Sequence, residues 1–190
     1  MLESFLVSTG VVALAEIGDK TQLLALVLAA RFRKPVPIIL GILAATLANH
    51  ALAGAVGVWV AALVGPVAMR WILGLSFIAM ALWTLIPHKI GEEQEHAPRF
   101  GVFGTTLIAF FLLEMGDKTQ IATVALAAKY SSLASVVLGT TAGMMLANVP
   151  AVLLGEVAAR KLPMRLVHGI AAAIFLVLGV SVLLGFGFQG

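Results

Sequence analysis

Two stretches carry the same order of acids, glycine and lysine: Glu16-Ile17-Gly18-Asp19-Lys20-Thr21-Gln22 and Glu114-Met115-Gly116-Asp117-Lys118-Thr119-Gln120. Each lies inside an apolar run long enough to cross a bilayer. An ionisable group at membrane depth costs roughly 2.5–3.5 kcal/mol even on the lenient insertion scale, so two acids per copy point to function. Glu and Asp three residues apart share a helix face. Glu16 with Asp19, and Glu114 with Asp117, can therefore converge on one cation. Gln22 and Gln120 offer amide oxygens at the edge of that face. Thr21 and Thr119 either add hydroxyl oxygens or bond back to a carbonyl of their own helix. The donors are all oxygen, which suits hard divalent cations such as Mg²⁺, Ca²⁺ and Mn²⁺. Four motif carboxylates against Lys20 and Lys118 leave a charge of −2, the complement of one divalent cation. With the cation gone, protonating two carboxylates restores neutrality, so metal and protons can exchange.

Other readings of the same residues stay open. Gly18 and Gly116 cost about 1 kcal/mol inside a helix. They permit either close packing between helices or local unwinding that frees carbonyls for a cation. Neither motif contains proline, which favours packing. The charges could also form buried ion pairs joining the two halves, Asp19 with Lys118 and Asp117 with Lys20. That reading leaves both glutamates without cationic partners. Asn49 and Asn148 suit interhelical hydrogen bonds as well as a lining role, and His50 is the one histidine well inside a span.

The elements that must position these groups are membrane helices. Of 190 residues, 61% are hydrophobic and 11% charged, with a mean hydropathy of +1.08, far from a soluble average. A span needs about 20 apolar residues, so six spans fill the chain and leave no soluble domain. They are expected at about 5–30, 36–64, 71–86, 102–128, 133–154 and 167–188. The absence of cysteine excludes disulfides and thiolate metal sites. Met1-Leu2-Glu3-Ser4 lacks the basic start of a signal peptide, so the first apolar run is expected to be retained. The basic pI of about 9.6 reflects loop charges, and nucleic acid is not an expected partner. The loop His88–Phe100, with Glu92, Glu93 and Glu95, reads as solvated.

Basic residues set the orientation. The odd connections hold eight: Arg31, Arg33, Lys34, Lys89, Arg99, Arg160, Lys161 and Arg165. The even ones hold two, Arg70 and Lys129. The odd connections are thus expected in the cytoplasm and both termini outside. Residues 16–31 match residues 114–129 at an offset of 98, Gly41 matches Gly139, and Leu47-Ala48-Asn49 matches Leu146-Ala147-Asn148 with a slip of one. An internal repeat of three helices enters the membrane from opposite sides. The expected fold is all-α integral membrane, six transmembrane helices as two inverted three-helix repeats. Repeat one spans about 1–86, a cytoplasmic loop about 87–100 and repeat two about 101–190.

A doubled Glu-x-Gly-Asp-Lys-Thr in a six-span chain of this size resembles the Gdt1 family of Mn²⁺/Ca²⁺ transporters, in its small bacterial manganese-exporter form. Both motifs match without substitution, and the resemblance covers essentially the whole chain. It implies export of Mn²⁺ and/or Ca²⁺ against protons, with the motif acids forming the cation site. It also implies the bacterial cytoplasmic membrane, because the long N-terminal extension of organellar members is missing. The resulting reading is a secondary active antiporter, not an enzyme, with no resident cofactor. Glu16, Asp19, Gln22, Glu114, Asp117 and Gln120 are the expected metal residues. Gly18, Lys20, Thr21, Gly116, Lys118, Thr119, Asn49 and Asn148 support them. Expected partners are the lipid bilayer, the cation, protons and, as an option, further copies of the chain. A passive cation channel and an exporter of a small organic cation are the alternatives.

Overall fold

A computed structural model describes residues 1–84, 100–154 and 164–185. The acidic loop with His88, Glu92, Glu93 and Glu95 lies outside them, as do Lys89, Arg99, Arg160 and Lys161. Eight helices and no strand occur among the described residues: α1 (Leu2–Glu16), α2 (Lys20–Phe32), α3 (Pro35–Leu63), α4 (Pro66–Thr84), α5 (Gly101–Glu114), α6 (Lys118–Lys129), α7 (Leu133–Leu154) and α8 (Met164–Leu183). Proline opens α3 and α4; its fixed φ suits a first helical position, where its missing N–H costs nothing. Arg33, left-handed at φ 51°, ends α2.

Where six helices were expected, the described residues form eight, because the first and fourth apolar runs each break at the motif. The cause is local and is the same in both. Ile17 (φ −62°, ψ 119°) and Met115 (φ −62°, ψ 122°) precede glycines at φ 80° and 75°. Asp19 N–H donates to the Glu16 carbonyl at 3.0 Å, and Asp117 N–H to the Glu114 carbonyl at 3.1 Å. These are type II β-turns, whose third residue needs the positive φ that glycine adopts without steric cost. The packing role favoured for these glycines is overturned in favour of unwinding. A Cβ added at Gly116 would meet nothing within 4 Å.

Each broken helix lies on the long helix of the other half. α1 packs along α7, α5 along α3, and α4 against α8. Glycines bring the long helices close. A Cβ at Gly41 would sit 2.8 Å from Thr106 Cβ and 2.9 Å from the Phe103 carbonyl. One at Gly139 would sit 3.0 Å from Ser8 Cβ and 2.6 Å from the Phe5 carbonyl. Gly143, one turn later, approaches Thr9, Val12 and Ala13. α7 thus runs alongside α1 toward Glu16, as α3 runs alongside α5 toward Glu114.

Two apolar clusters flank the turns, one including Val11, Ala15, Phe77, Leu126 and Phe175, the other Leu24, Leu28, Ile42 and Phe110. The outside is apolar too: Trp59, Leu63, Leu82, Leu112, Leu146 and Val177 are all exposed. A soluble monomer rarely shows so much apolar surface. α3 and, from Leu133 to Leu153, α7 are long and apolar enough to cross a membrane.

Candidate cation site

The two type II turns bring four acids into the interior. Glu16, Asp19, Glu114 and Asp117 are all buried. Glu16 and Glu114 are the last residues of α1 and α5; Asp19 and Asp117 are the N-caps of α2 and α6. The positions differ electrostatically. An aspartate at a helix N-terminus is favoured by the macrodipole, whereas a glutamate at a C-terminus adds negative charge to the negative end. The glutamates gain nothing from their own helices. A cation placed between the helix ends would offset both.

One oxygen each from Glu16, Asp19 and Asp117 lies within 4.8 Å of the others. Oxygens on opposite sides of a hard divalent ion bonded at about 2.3–2.6 Å stand about 4.6–5.2 Å apart. The triad is therefore spaced on the scale of one ion's ligands, and it draws on both halves of the chain.

The crossed ion pairs are also present. Lys118 Nζ lies 3.0 Å from Asp19 Oδ1, and Lys20 Nζ 3.3 Å from Asp117 Oδ1. Lys118 is 1% exposed and Lys20 33%, so one pair is sealed and the other half-open. Neither lysine pairs with a glutamate among the described residues. Ion pairing alone leaves Glu16 buried beside two further carboxylates, with its Oε1 lacking a hydrogen-bond partner.

The two glutamates have different surroundings. Thr21 Oγ1 donates to Glu16 Oε2. Glu114 instead turns to α3, where Thr46 Oγ1 donates to its Oε1 at 3.0 Å and Asn49 Nδ2 to its Oε2 at 3.3 Å. Asn49 Nδ2 also donates to the Phe111 carbonyl at 2.9 Å. Glu114 is not in the close triad. Thr119 Oγ1, the counterpart of Thr21 Oγ1, is buried without a hydrogen-bond partner among the described residues. Asn148, the counterpart of Asn49, donates back to the Met144 carbonyl at 3.1 Å and to Met144 Sδ, and its Oδ1 is unpaired among the described residues. Thr46 was not singled out from the sequence. Its place three residues before Asn49, on the same helix face, was the available signal.

Gln22 and Gln120 have a different task from the expected one. Gly18 N–H donates to Gln22 Oε1 at 2.9 Å, and Gly116 N–H to Gln120 Oε1 at 2.7 Å. Each amide oxygen closes its own turn, in the manner of a helix cap. Gln22 Nε2 also donates to the Ala147 carbonyl at 2.9 Å, fastening the first turn to α7. His50 is buried, with both ring nitrogens unpaired among the described residues.

Broken helices whose ends meet over buried charge, within an apolar exterior, define an integral membrane protein of the ion-transporter class. The family model described as "Divalent cation/proton antiporter GDT1" matches residues 4–92 and 102–187, and the chain belongs to the GDT1 family, a family of transporters rather than enzymes. A Vibrio cholerae protein called "Putative manganese exporter" is 52% identical over 92% of this chain and 88% of its own length. The "GDT1-like protein 5" of Arabidopsis thaliana is 27% identical over 97% of this chain and 96% of its own. A "GDT1-like protein 3" of rice is 27% identical over 95% and 74%. No solved structure matches the chain.

Proposed function

We propose that this chain exports a divalent cation, Mn²⁺ and/or Ca²⁺, across a bacterial cytoplasmic membrane in exchange for protons. One observation carries the reading: three buried carboxylates, Glu16, Asp19 and Asp117, contributed by two separate helix breaks at ligand spacing. The kinship to the Vibrio cholerae protein called "Putative manganese exporter" favours Mn²⁺. Glu16, Asp19 and Asp117 hold the cation, and Glu114 is the fourth acid, able to join from its seat on α3. Lys20 and Lys118 offset the repulsion between the aspartates and set the net charge. Gln22 and Gln120 act on the site through the turns they close.

Six spans in two inverted repeats, with both termini outside, complete the proposal. The matched contacts of Gly41 and Gly139 support the repeat, since Phe103 and Thr106 stand 98 residues beyond Phe5 and Ser8. So do the two stretches matched by the family model. Two halves that grip each other's long helices can rock about a fixed site, which is how inverted-repeat carriers expose a site to each face in turn.

Asp19→Asn, reconstituted in proteoliposomes, is expected to abolish Mn²⁺ transport while the protein remains folded. An imposed pH gradient should drive Mn²⁺ in the direction set by its sign. Normal transport in Asp19→Asn would sink the site. Transport indifferent to the gradient would remove the proton coupling and leave the channel reading in its place.

A further inference from the structure

The two motif glutamates take different seats. Glu16 occupies an inner seat, on Thr21 and beside the two aspartates. Glu114 occupies an outer seat, on Thr46 and Asn49 of the facing long helix. Two counterpart groups are able to change partner: Thr119 Oγ1 has no hydrogen-bond partner among the described residues, and Asn148 Nδ2 bonds only within its own helix, to Met144. By analogy with Thr21 and Asn49, the Thr119 hydroxyl would receive Glu114 in an inner seat, and Asn148 Nδ2, on leaving Met144, would receive Glu16 in an outer one. Asn148 is well placed for this. Gly139 and Gly143 track α1 from Phe5 to Ala13, and the next turn of α7 brings Ala147 to Gln22. Asn49 bonds the Phe111 carbonyl; the residue 98 positions earlier is Ala13, which lies on that track. Pro150 lies inside α7 just beyond Asn148, and the N–H it lacks loosens the helix there.

We infer that Asn148 is a positioning residue for transport, the outer latch that receives Glu16 when Glu114 moves inward onto Thr119. The inference rests on the transport reading above. Asn49 then stabilises the described state and Asn148 the opposite one. Each acts on the cation only through its glutamate, by supplying or withdrawing a carboxylate. The two exchange moves also differ in what they free. Releasing Glu114 costs bonds to Thr46 and Asn49, whereas releasing Glu16 costs the Thr21 bond.

The test is Mn²⁺ transport in proteoliposomes of uniform orientation, with apparent KM measured from each face. Deleting a latch depopulates one state and weakens apparent affinity on the face that state serves. Asn49→Ala and Asn148→Ala are expected to shift the ratio of the two KM values in opposite directions, each by roughly tenfold, the scale of one hydrogen bond to a charged group. The double variant should return the ratio to near wild type. A purely structural role would lower folded yield or kcat without opposed shifts in KM. Shifts in the same direction, or none from Asn148→Ala, overturn the inference. Should the alanine variant not fold, Asn148→Ser keeps a shorter polar group and carries the same expectation. If Asp19→Asn is inactive and the asparagine variants fail to separate, only the latch falls; if Asp19→Asn transports normally, the site itself falls.

Discussion

Glu16 and Glu114 each end a helix and begin the same type II turn, yet one stands among two aspartates and the other leans on Thr46 and Asn49. The lysines differ likewise: Lys118 is sealed against Asp19, and Lys20 is a third exposed beside Asp117. Met115 is 56% exposed, whereas Ile17 is only partly so. The first turn is fastened to α7 through Gln22, while Gln120 makes only the bond that closes its own turn among the described residues. Identical local chemistry thus yields a closed side and an open side. The difference teaches that a duplicated motif supplies parts, and that the long helix facing each copy decides how they are used.

The sharpest way to break that contrast is through the lysines. Lys118→Met is expected to destabilise the protein by about 3–5 kcal/mol, because it removes one member of a fully buried ion pair. Lys20→Met should cost well under half of that, since its pair is partly screened by solvent. Thermal unfolding in detergent checks both, and equal losses would show that the two sides are alike. The glutamates come next. Glu16→Gln should weaken Mn²⁺ binding by about tenfold or more, the loss of a charged ligand being on the order of 1.4 kcal/mol or above. Glu114→Gln should weaken it only a few-fold while still impairing transport. Titration calorimetry separates the two, and equal losses would put Glu114 in the resting site.

Smaller effects sharpen the picture. Gly18→Ala and Gly116→Ala should each cost roughly 1–2 kcal/mol, the penalty of a left-handed residue bearing a Cβ. A stabilised Gly116→Ala protein would mean that the helix runs straight through. Last, Gln22→Ala should cost about 1–2 kcal/mol and Gln120→Ala about half as much, because the first makes two hydrogen bonds and the second one. Melting temperatures of the pair read this directly.

Much of the architecture was legible beforehand. The apolar runs fall on the described helices, the first and fourth each on a broken pair, because apolar stretches fold as helices in a bilayer and proline and basic residues mark their ends. The four acids were legible because charge in such a segment is rare. The break at each motif was not. Glycine without proline tolerates both a continuous helix and a type II turn, and local sequence does not choose between them. Thr46 escaped notice because threonine is unremarkable in an apolar helix until an acid is found opposite it. The bonds from the Gly18 and Gly116 N–H groups to Gln22 and Gln120 were hidden for the same reason: they form only where the helix breaks at the glycine.

By itself the sequence determined the inventory: two copies of one motif, four acids against two lysines, and apolar runs able to carry them into a membrane. Those facts follow from composition and spacing, which no folding event alters. Only the tertiary structure decided that Asp19 meets Lys118 and Asp117 meets Lys20, that Glu16 joins the aspartates, and that Glu114 turns to α3. Two near-identical motifs cannot encode different states locally. The difference arises from contacts between residues some 60 to 125 positions apart, such as Thr46 with Glu114 and Gln22 with Ala147, and such contacts exist only once the two halves have packed together.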